Sequence, residues 1–147
     1  MIVHPPFNFR FSGVMNMAIV FDTVKNNIDN GYNATSGILT VTTDGVYVFS
    51  TTILTCPGCL AAVGFYKNDD YISGLYVNGA PDKLPSTAET TVLELTRGDQ
   101  MRVKIADAKD EVVGNNYTTF AGFLLYDTAP QTDQPFTMAP QQAAVGK

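Results

Sequence analysis

Apolar and polar side chains alternate along much of this chain in short runs, and Gly, Asn, Asp or Pro interrupts each run. Period-two alternation is what an extended strand with one buried face requires, because successive side chains point to opposite sides. Phe7-Asn8-Phe9-Arg10-Phe11 alternates in this way, and Met101, Val103 and Ile105 alternate with Arg102 and Lys104. Over 46–54 a longer strand places Tyr47, Phe49, Thr51 and Ile53 on one face. Further strands are expected at 38–42 and 90–95. Segments 60–66 and 71–77 flank Lys67-Asn68-Asp69-Asp70 and read as a hairpin.

Turn signals recur about every 8–12 residues, the spacing of an all-β sandwich or barrel. No amphipathic helix is expected. Segment 106–113 is short and charged and reads as a loop, as does 78–88 with Gly79, Pro81 and Pro85. The final strand, 117–126, breaks the rule of alternation. Phe120-Ala121-Gly122-Phe123-Leu124-Leu125-Tyr126 is apolar on both faces. An antiparallel strand with one wet face should alternate, so both of its faces are expected to be covered. Either a neighbouring subunit or the chain's own loops would serve.

Beyond residue 127 the composition turns to Thr, Pro, Gln and Ala, with Phe136 the lone aromatic. Such a segment buries too little apolar area to offset its ordering entropy. A mobile tail over 128–147 is expected, after a folded domain over 7–127 and a short N-terminal extension over 1–6.

The 147-residue length suits one domain. Only 16% of residues are charged against 45% apolar, which leaves little polar surface and hints at subunit contacts. A net charge of −5 repels phosphate, so nucleic acid and anionic membranes are poor partners. No apolar run is long enough to cross a bilayer as a helix. Residues 1–11 lack the succession of a signal peptide, so a secreted form is expected to have had one removed.

Catalytic readings find little support. His4 is the single histidine and stands beside a terminus, where a solvated side chain is expected. The carboxylate pairs Asp69-Asp70 and Asp110-Glu111 lie in turn-like segments, and adjacent residues of an extended chain point apart. Neither a catalytic residue nor a metal site is expected. Cys56-Pro57-Gly58-Cys59 suits a type II turn, which brings its ends close enough for a Cys56–Cys59 disulfide. Free thiols and metal or redox chemistry are the other readings of that motif. Binding is best sought in the loops. Asp69, Asp70, Tyr71, Asn78, Asp82, Lys83, Asn115, Asn116 and Tyr117 offer the carboxylates, amides and aromatic rings that hold sugars. Asn33-Ala34-Thr35 and Asn116-Tyr117-Thr118 fit the glycosylation pattern.

Phe21, Asn27, Tyr32, Leu39, Gly45, Tyr47 and Phe49 follow one another at a spacing that resembles the signature of the C1q domain. Leu39 and Thr51 stand where that family carries aromatic rings. The segments Leu93-Glu94-Leu95-Thr96-Arg97-Gly98-Asp99-Gln100 and Phe120-Ala121-Gly122-Phe123-Leu124-Leu125 are similar to two further family segments. The resemblance covers about Phe7 to Asp127 and extends to the stand-alone C1q-domain proteins of marine invertebrates. It implies a ten-stranded jelly-roll sandwich of the C1q and tumour-necrosis-factor type, a homotrimer and an extracellular, secreted setting. The trimer would place Phe120, Phe123 and Leu125 at the subunit interface. Function by analogy is lectin-like recognition of carbohydrate or microbial surfaces in innate immunity, with no enzyme activity. A structural module of extracellular matrix is the alternative, less favoured because no Gly-x-y stalk is present. No cofactor is implied. Some relatives hold calcium on the threefold axis through acidic residues, but the matching Val77-Asn78-Gly79 has none. Asp69, Asp70 and Asp82 remain peripheral calcium candidates.

Overall fold

The alternating segments become strands. In the computed structural model, which describes residues 1–5, 10–12, 16–106, 111–114, 116–128 and 130, they form two antiparallel sheets. No helix occurs among the described residues. The larger sheet holds β1 (Ile2–His4), β2 (Arg10–Ser12), β3 (Thr23–Asn26), β6 (Gly45–Leu54), β9 (Ser86–Leu95), β11 (Glu111–Val113) and β12 (Thr119–Asp127). The smaller holds β4 (Tyr32–Asn33), β5 (Ile38–Thr40), β7 (Leu60–Lys67), β8 (Asp70–Asn78) and β10 (Gln100–Ile105).

Strand β6 is the axis of the larger sheet. Strand β9 lines one edge from Gly45↔Leu95 to Leu54↔Ser86, and β12 lines the other from Gly45↔Asp127 to Thr52↔Thr119. Strand β11 continues that second edge at Leu54. Strands β1 and β3 extend the sheet beyond β12, and β2 extends it beyond β11. The smaller sheet runs β4-β5-β10-β7-β8.

Alternation predicted the inward faces well. Tyr47, Phe49, Thr51 and Ile53 of β6 and Met101, Val103 and Ile105 of β10 are all buried. Phe120 is the hub between the sheets. The rings of Phe21, Phe65, Phe49 and Tyr32 lie 5.7, 6.0, 6.1 and 6.3 Å from its centroid. Burying each such ring stabilises the fold by about 1.5–3 kcal/mol. Thr51 uses its buried position differently: its hydroxyl donates to Thr119 O at 2.8 Å, stitching β6 to β12.

The family-like spacing of Phe21, Asn27 and Tyr32 has a local cause. Tyr32 Oη accepts the Phe21 N–H at 2.9 Å. Asn27 brackets the Tyr32 backbone, donating from Nδ2 to its carbonyl at 2.9 Å and accepting its N–H at 3.2 Å.

Several expectations change. Ile2–His4 is not an extension outside the domain. It pairs with β12 and β3, and Val3 is fully buried, so the fold begins upstream of residue 7. His4 is buried rather than solvated, with Nδ1 3.2 Å from Pro5 O. Glu111–Val113 is a strand within the segment read as a loop, and β9 starts earlier, at Ser86. Twelve strands stand among the described residues, where the family resemblance implied ten, and β1, β3, β4 and β11 among them span only two to four residues, too short to show alternation. The expected strand at 7–11 is seen only from Arg10, and positions 7–9 lie outside the described residues. So does the expected tail, apart from Thr128 and Pro130.

Candidate functional site

The two sheets turn different faces to solvent. On the smaller sheet the outward positions are polar and aromatic; on the larger an apolar band lies among polar outward residues such as Ser50, Thr90 and Glu94. The first face begins at the β7–β8 hairpin. Lys67 pairs with Asp70, which leaves Asn68 and Asp69 as the two turn residues, with φ of 47° and 74°. Positive φ at both positions defines the type I′ turn that matches strand twist. Asn and Asp tolerate it better than other side-chain-bearing residues.

This turn fixes Asp69 over the sheet. Lys104 Nζ donates to Asp69 Oδ1 at 2.9 Å, and the Arg102 guanidinium lies 3.5 Å from the same oxygen. The Lys104 hydrogen bond, with the nearby Arg102 charge, holds the Asp69 carboxyl below the usual carboxylate range. Lys104 Nζ also sits 4.6 Å from the Tyr66 ring centroid, a cation–π distance. Tyr66 and Tyr71 meet edge to face at 5.6 Å.

Two glycines make the floor. Gly64 pairs with Gly74, and a Cβ on Gly64 would lie 2.8 Å from the Tyr71 ring. A Cβ on Gly74 would lie 2.7 Å from Tyr71 Oη. The Tyr71 ring therefore rests on bare backbone and leaves 62% of the residue exposed. Tyr76, equally exposed, stands across from Ala62 on the same face. The result is an aromatic platform edged by one carboxylate and two cations. It can stack the C–H face of a sugar ring and hydrogen-bond its hydroxyls.

The loop residues named from the sequence divide into groups. Asp69, Asp70 and Tyr71 stand together at the hairpin tip. Asn78, Asp82 and Lys83 lie at the other end of β8, on the order of 25 Å away along the strand. There Gly79 N–H donates to Cys59 O at 2.7 Å and Gly58 N–H to Ala80 O at 3.0 Å. Asn116 and Tyr117 are exposed in the turn before β12, at the end of the sandwich where β6 finishes. Asn115 lies outside the described residues. The three carboxylates considered for calcium do not meet, since Asp82 is remote from Asp69 and Asp70. Sequence reasoning missed Tyr66, Tyr76, Arg102 and Lys104. Each was legible as an outward strand position, and the Lys67–Asp70 hairpin register would have set Tyr66 beside Tyr71.

Cys56 and Cys59 are bonded to each other, with Cα atoms 5.2 Å apart. Asn33 and Asn116 of the two glycosylation patterns are both exposed.

The larger sheet corrects the interface expectation. Phe120 is fully buried within its own chain and offers nothing to a neighbour. Phe123 and Leu125 are more than half exposed. Register explains the difference, since Phe120 pairs with inward Thr51 and Phe123 with outward Val48. Val48 also pairs with exposed Val92 on β9, so Val92, Val48 and Phe123 form an apolar band across three strands. Exposed Leu125 and Tyr126 continue it past a register shift in β12, beyond which Tyr126 pairs with Val46. A cleft of about 260 Å³ opens beside the band, lined in part by Ile28, Leu39, Tyr47 and Phe123.

Two facing antiparallel sheets, one backed by an apolar band and one by a polar aromatic platform, define an all-β jelly-roll module of the C1q and tumour-necrosis-factor class. The family model of the C1q domain matches residues 8–125, and the chain belongs to the C1q-domain family. The chain is 30% identical over 118 residues to Caprin-2 of Danio rerio, a match that covers 78% of this chain and 13% of that protein. It is 25% identical over 114 residues to Complement C1q tumor necrosis factor-related protein 3 of Mus musculus, covering 77% of this chain and 46% of that one. The chain thus spans less than half the length of these curated relatives. Among solved structures, the globular domain of zebrafish complement 1qA protein superposes with a TM-score of 0.70 at 14% identity, covering 86% of this chain and 96% of that one. Eiger TNF from S. frugiperda gives 0.70 at 14%, covering 90% and 96%. These likenesses show the fold.

Proposed function

We propose that three copies of this chain assemble as a homotrimer that acts outside the cell as a glycan-recognition head, with microbial surface carbohydrates among its ligands and no catalytic step. The observation that carries the recognition half is the Tyr71 platform. An exposed ring on a glycine floor, with an exposed ionised carboxylate at its rim held in place by Lys104 and Arg102, matches the mixed apolar and hydroxyl surface of a sugar. The assembly half is supported by the band of Val92, Val48, Phe123, Leu125 and Tyr126, because contiguous exposed apolar surface marks an interaction site. A second copy of the chain is the natural occupant in a family whose relatives include C1q- and TNF-type proteins. Three shallow sites on one particle multiply into useful avidity.

A glycan array tests the recognition half, with wild type and Tyr71→Ala compared with and without calcium. Binding to a defined sugar class that Tyr71→Ala loses is the expected result. A blank array, or equal binding by the variant, overturns it and leaves a structural role in extracellular matrix as the better reading.

A further inference from the structure

The Cys56-Pro57-Gly58-Cys59 turn is held by more than its disulfide. Cys59 N–H donates to Cys56 O at 3.0 Å, and the turn is tied to the next loop through Gly79 and Ala80. Gly58 takes the left-handed φ of +73° that the turn needs. Gly79 lies so close that a Cβ there would sit 2.5 Å from Cys56 O. These backbone contacts hold the two cysteines adjacent in addition to the disulfide. A third donor faces them. Glu111 Oε2 lies 3.6 Å from Cys59 Sγ, and the two sulfurs and the carboxylate oxygen are all within 4.8 Å of one another. Thr55, just before the turn, donates its hydroxyl to Glu111 O at 2.5 Å and so ties β11 to the cysteines.

We propose that, when the disulfide is reduced, Cys56, Cys59 and Glu111 bind a thiophilic divalent cation of the zinc class, so that reduction converts this corner from a disulfide into a metal thiolate. Two thiolates at Cys-x2-Cys spacing plus one carboxylate form a zinc-type donor set, with metal–sulfur and metal–oxygen bonds of about 2.3 and 2.1 Å. A tetrahedral ion with those bonds sets sulfur and oxygen about 3.6 Å apart, matching the 3.6 Å between Cys59 Sγ and Glu111 Oε2. Two sulfurs on one such ion stand about 3.8 Å apart, which side-chain rotation reaches from Cα atoms 5.2 Å apart. Three protein ligands leave one position open to water. Calcium, which takes oxygen donors, is excluded by the thiolates.

The chemistry balances with a thiol reductant. Two reductant thiols give two electrons and two protons, the Cys56–Cys59 S–S bond breaks, two S–H bonds form, and the reductant sulfurs pair with each other. Metal binding then replaces the two S–H bonds by two sulfur–metal bonds and releases two protons to solvent.

The test is a zinc titration of the purified full chain against a chromogenic chelator, oxidised and then reduced with a phosphine, which does not compete for zinc as a dithiol does. The expected result is one zinc per reduced chain and none per oxidised chain. Cobalt in place of zinc should give a sulfur-to-metal charge-transfer band only after reduction. The double variant Cys56→Ser, Cys59→Ser should bind none in either state. Glu111→Gln should weaken binding at least about tenfold, since even an outer-shell partner is worth that much. No stoichiometric zinc on reduced wild type, or zinc retained by the double variant, overturns the site. Undiminished affinity in Glu111→Gln overturns the three-ligand arrangement.

Discussion

Gly122 on β12 faces the ring of Phe49 on β6, and a Cβ at position 122 would stand 2.5 Å from Cδ1 and 2.6 Å from Cε1 of that ring. The two residues pair directly across the strands. Phe49 is fully buried and stacks 6.1 Å from Phe120, so it has little room to retreat. Gly122→Ala is therefore expected to destabilise the fold by about 1–3 kcal/mol, the usual range for overpacking a close-packed core. Urea unfolding should show a lower midpoint with an unchanged slope. An unshifted midpoint would mean that the ring moves freely.

Two phenylalanines three residues apart on β12 should behave oppositely. Phe120→Ala empties the aromatic hub between the sheets and is expected to cost about 3–5 kcal/mol. Phe123→Ala removes an exposed ring and should change the stability of the isolated chain by no more than about 0.5 kcal/mol. On the trimer reading, Phe123→Ala, and more strongly Phe123→Arg, shifts sedimentation from three-chain particles toward the 15.9 kDa single chain. Wild-type protein that already sediments as a single chain would end the assembly half of the proposed function.

The different fates of these rings show how far the sequence could be read. Alternation in β6 and β10 identified the inward residues correctly, because one face of each strand is polar enough to give a phase. Strand β12 gives none. Phe120-Ala121-Gly122-Phe123-Leu124-Leu125-Tyr126 is apolar throughout, and only the pairing with Thr51 and Val48 tells inward from outward. The register shift between Leu124 and Tyr126 then changes the phase again. The platform was half legible. Asp69 and Tyr71 belong to a turn that announces itself, whereas Tyr66, Arg102 and Lys104 become neighbours only through pairing between β7 and β10. Ile2–His4 was illegible for a different reason: three residues are too few to show a period, and their place is set by β12 and β3.

Tyr32 gives the fold an alkaline limit. Burial pushes its phenol up to about 12, partly opposed by the hydrogen bond from Phe21 N–H. A raised pKa means that the folded chain holds the proton more tightly than the unfolded chain does. This contribution is complete below the ordinary value of 10.0 and is lost as pH rises toward about 12. Tyr47 is raised too, also by burial, and adds to the same slope. Melting temperature followed from about pH 9 to about pH 12 should fall steeply for wild type and less steeply for Tyr32→Phe. That variant should also start lower by about 1–3 kcal/mol, because the buried Phe21 N–H loses its acceptor.

Asp99 contributes a corresponding acid dependence and joins the β7–β8 hairpin turn to the connection between β9 and β10. Its carboxylate accepts the Thr96 N–H at 2.9 Å and the Asn68 side-chain amide at 2.7 Å, and Lys67 Nζ lies 3.5 Å away. Asn68 in turn accepts the Gln100 N–H at 2.8 Å, so the turn that carries Asp69 is tied to the turn that starts β10. The Thr96 N–H, then the Asn68 amide, hold the Asp99 carboxyl below the ordinary 3.8. Here the folded pKa is depressed, so the stabilisation is present above the ordinary value and disappears as pH falls through the lowered one. Asp99→Asn should flatten the fall in melting temperature between about pH 5 and about pH 2, while at neutral pH it lowers melting temperature by loosening the Asn68–Asp69 turn. If the variant retains the wild-type acid profile, the acid limit lies with other carboxylates. If it also leaves neutral-pH stability unchanged, the tie through Asn68 contributes nothing measurable.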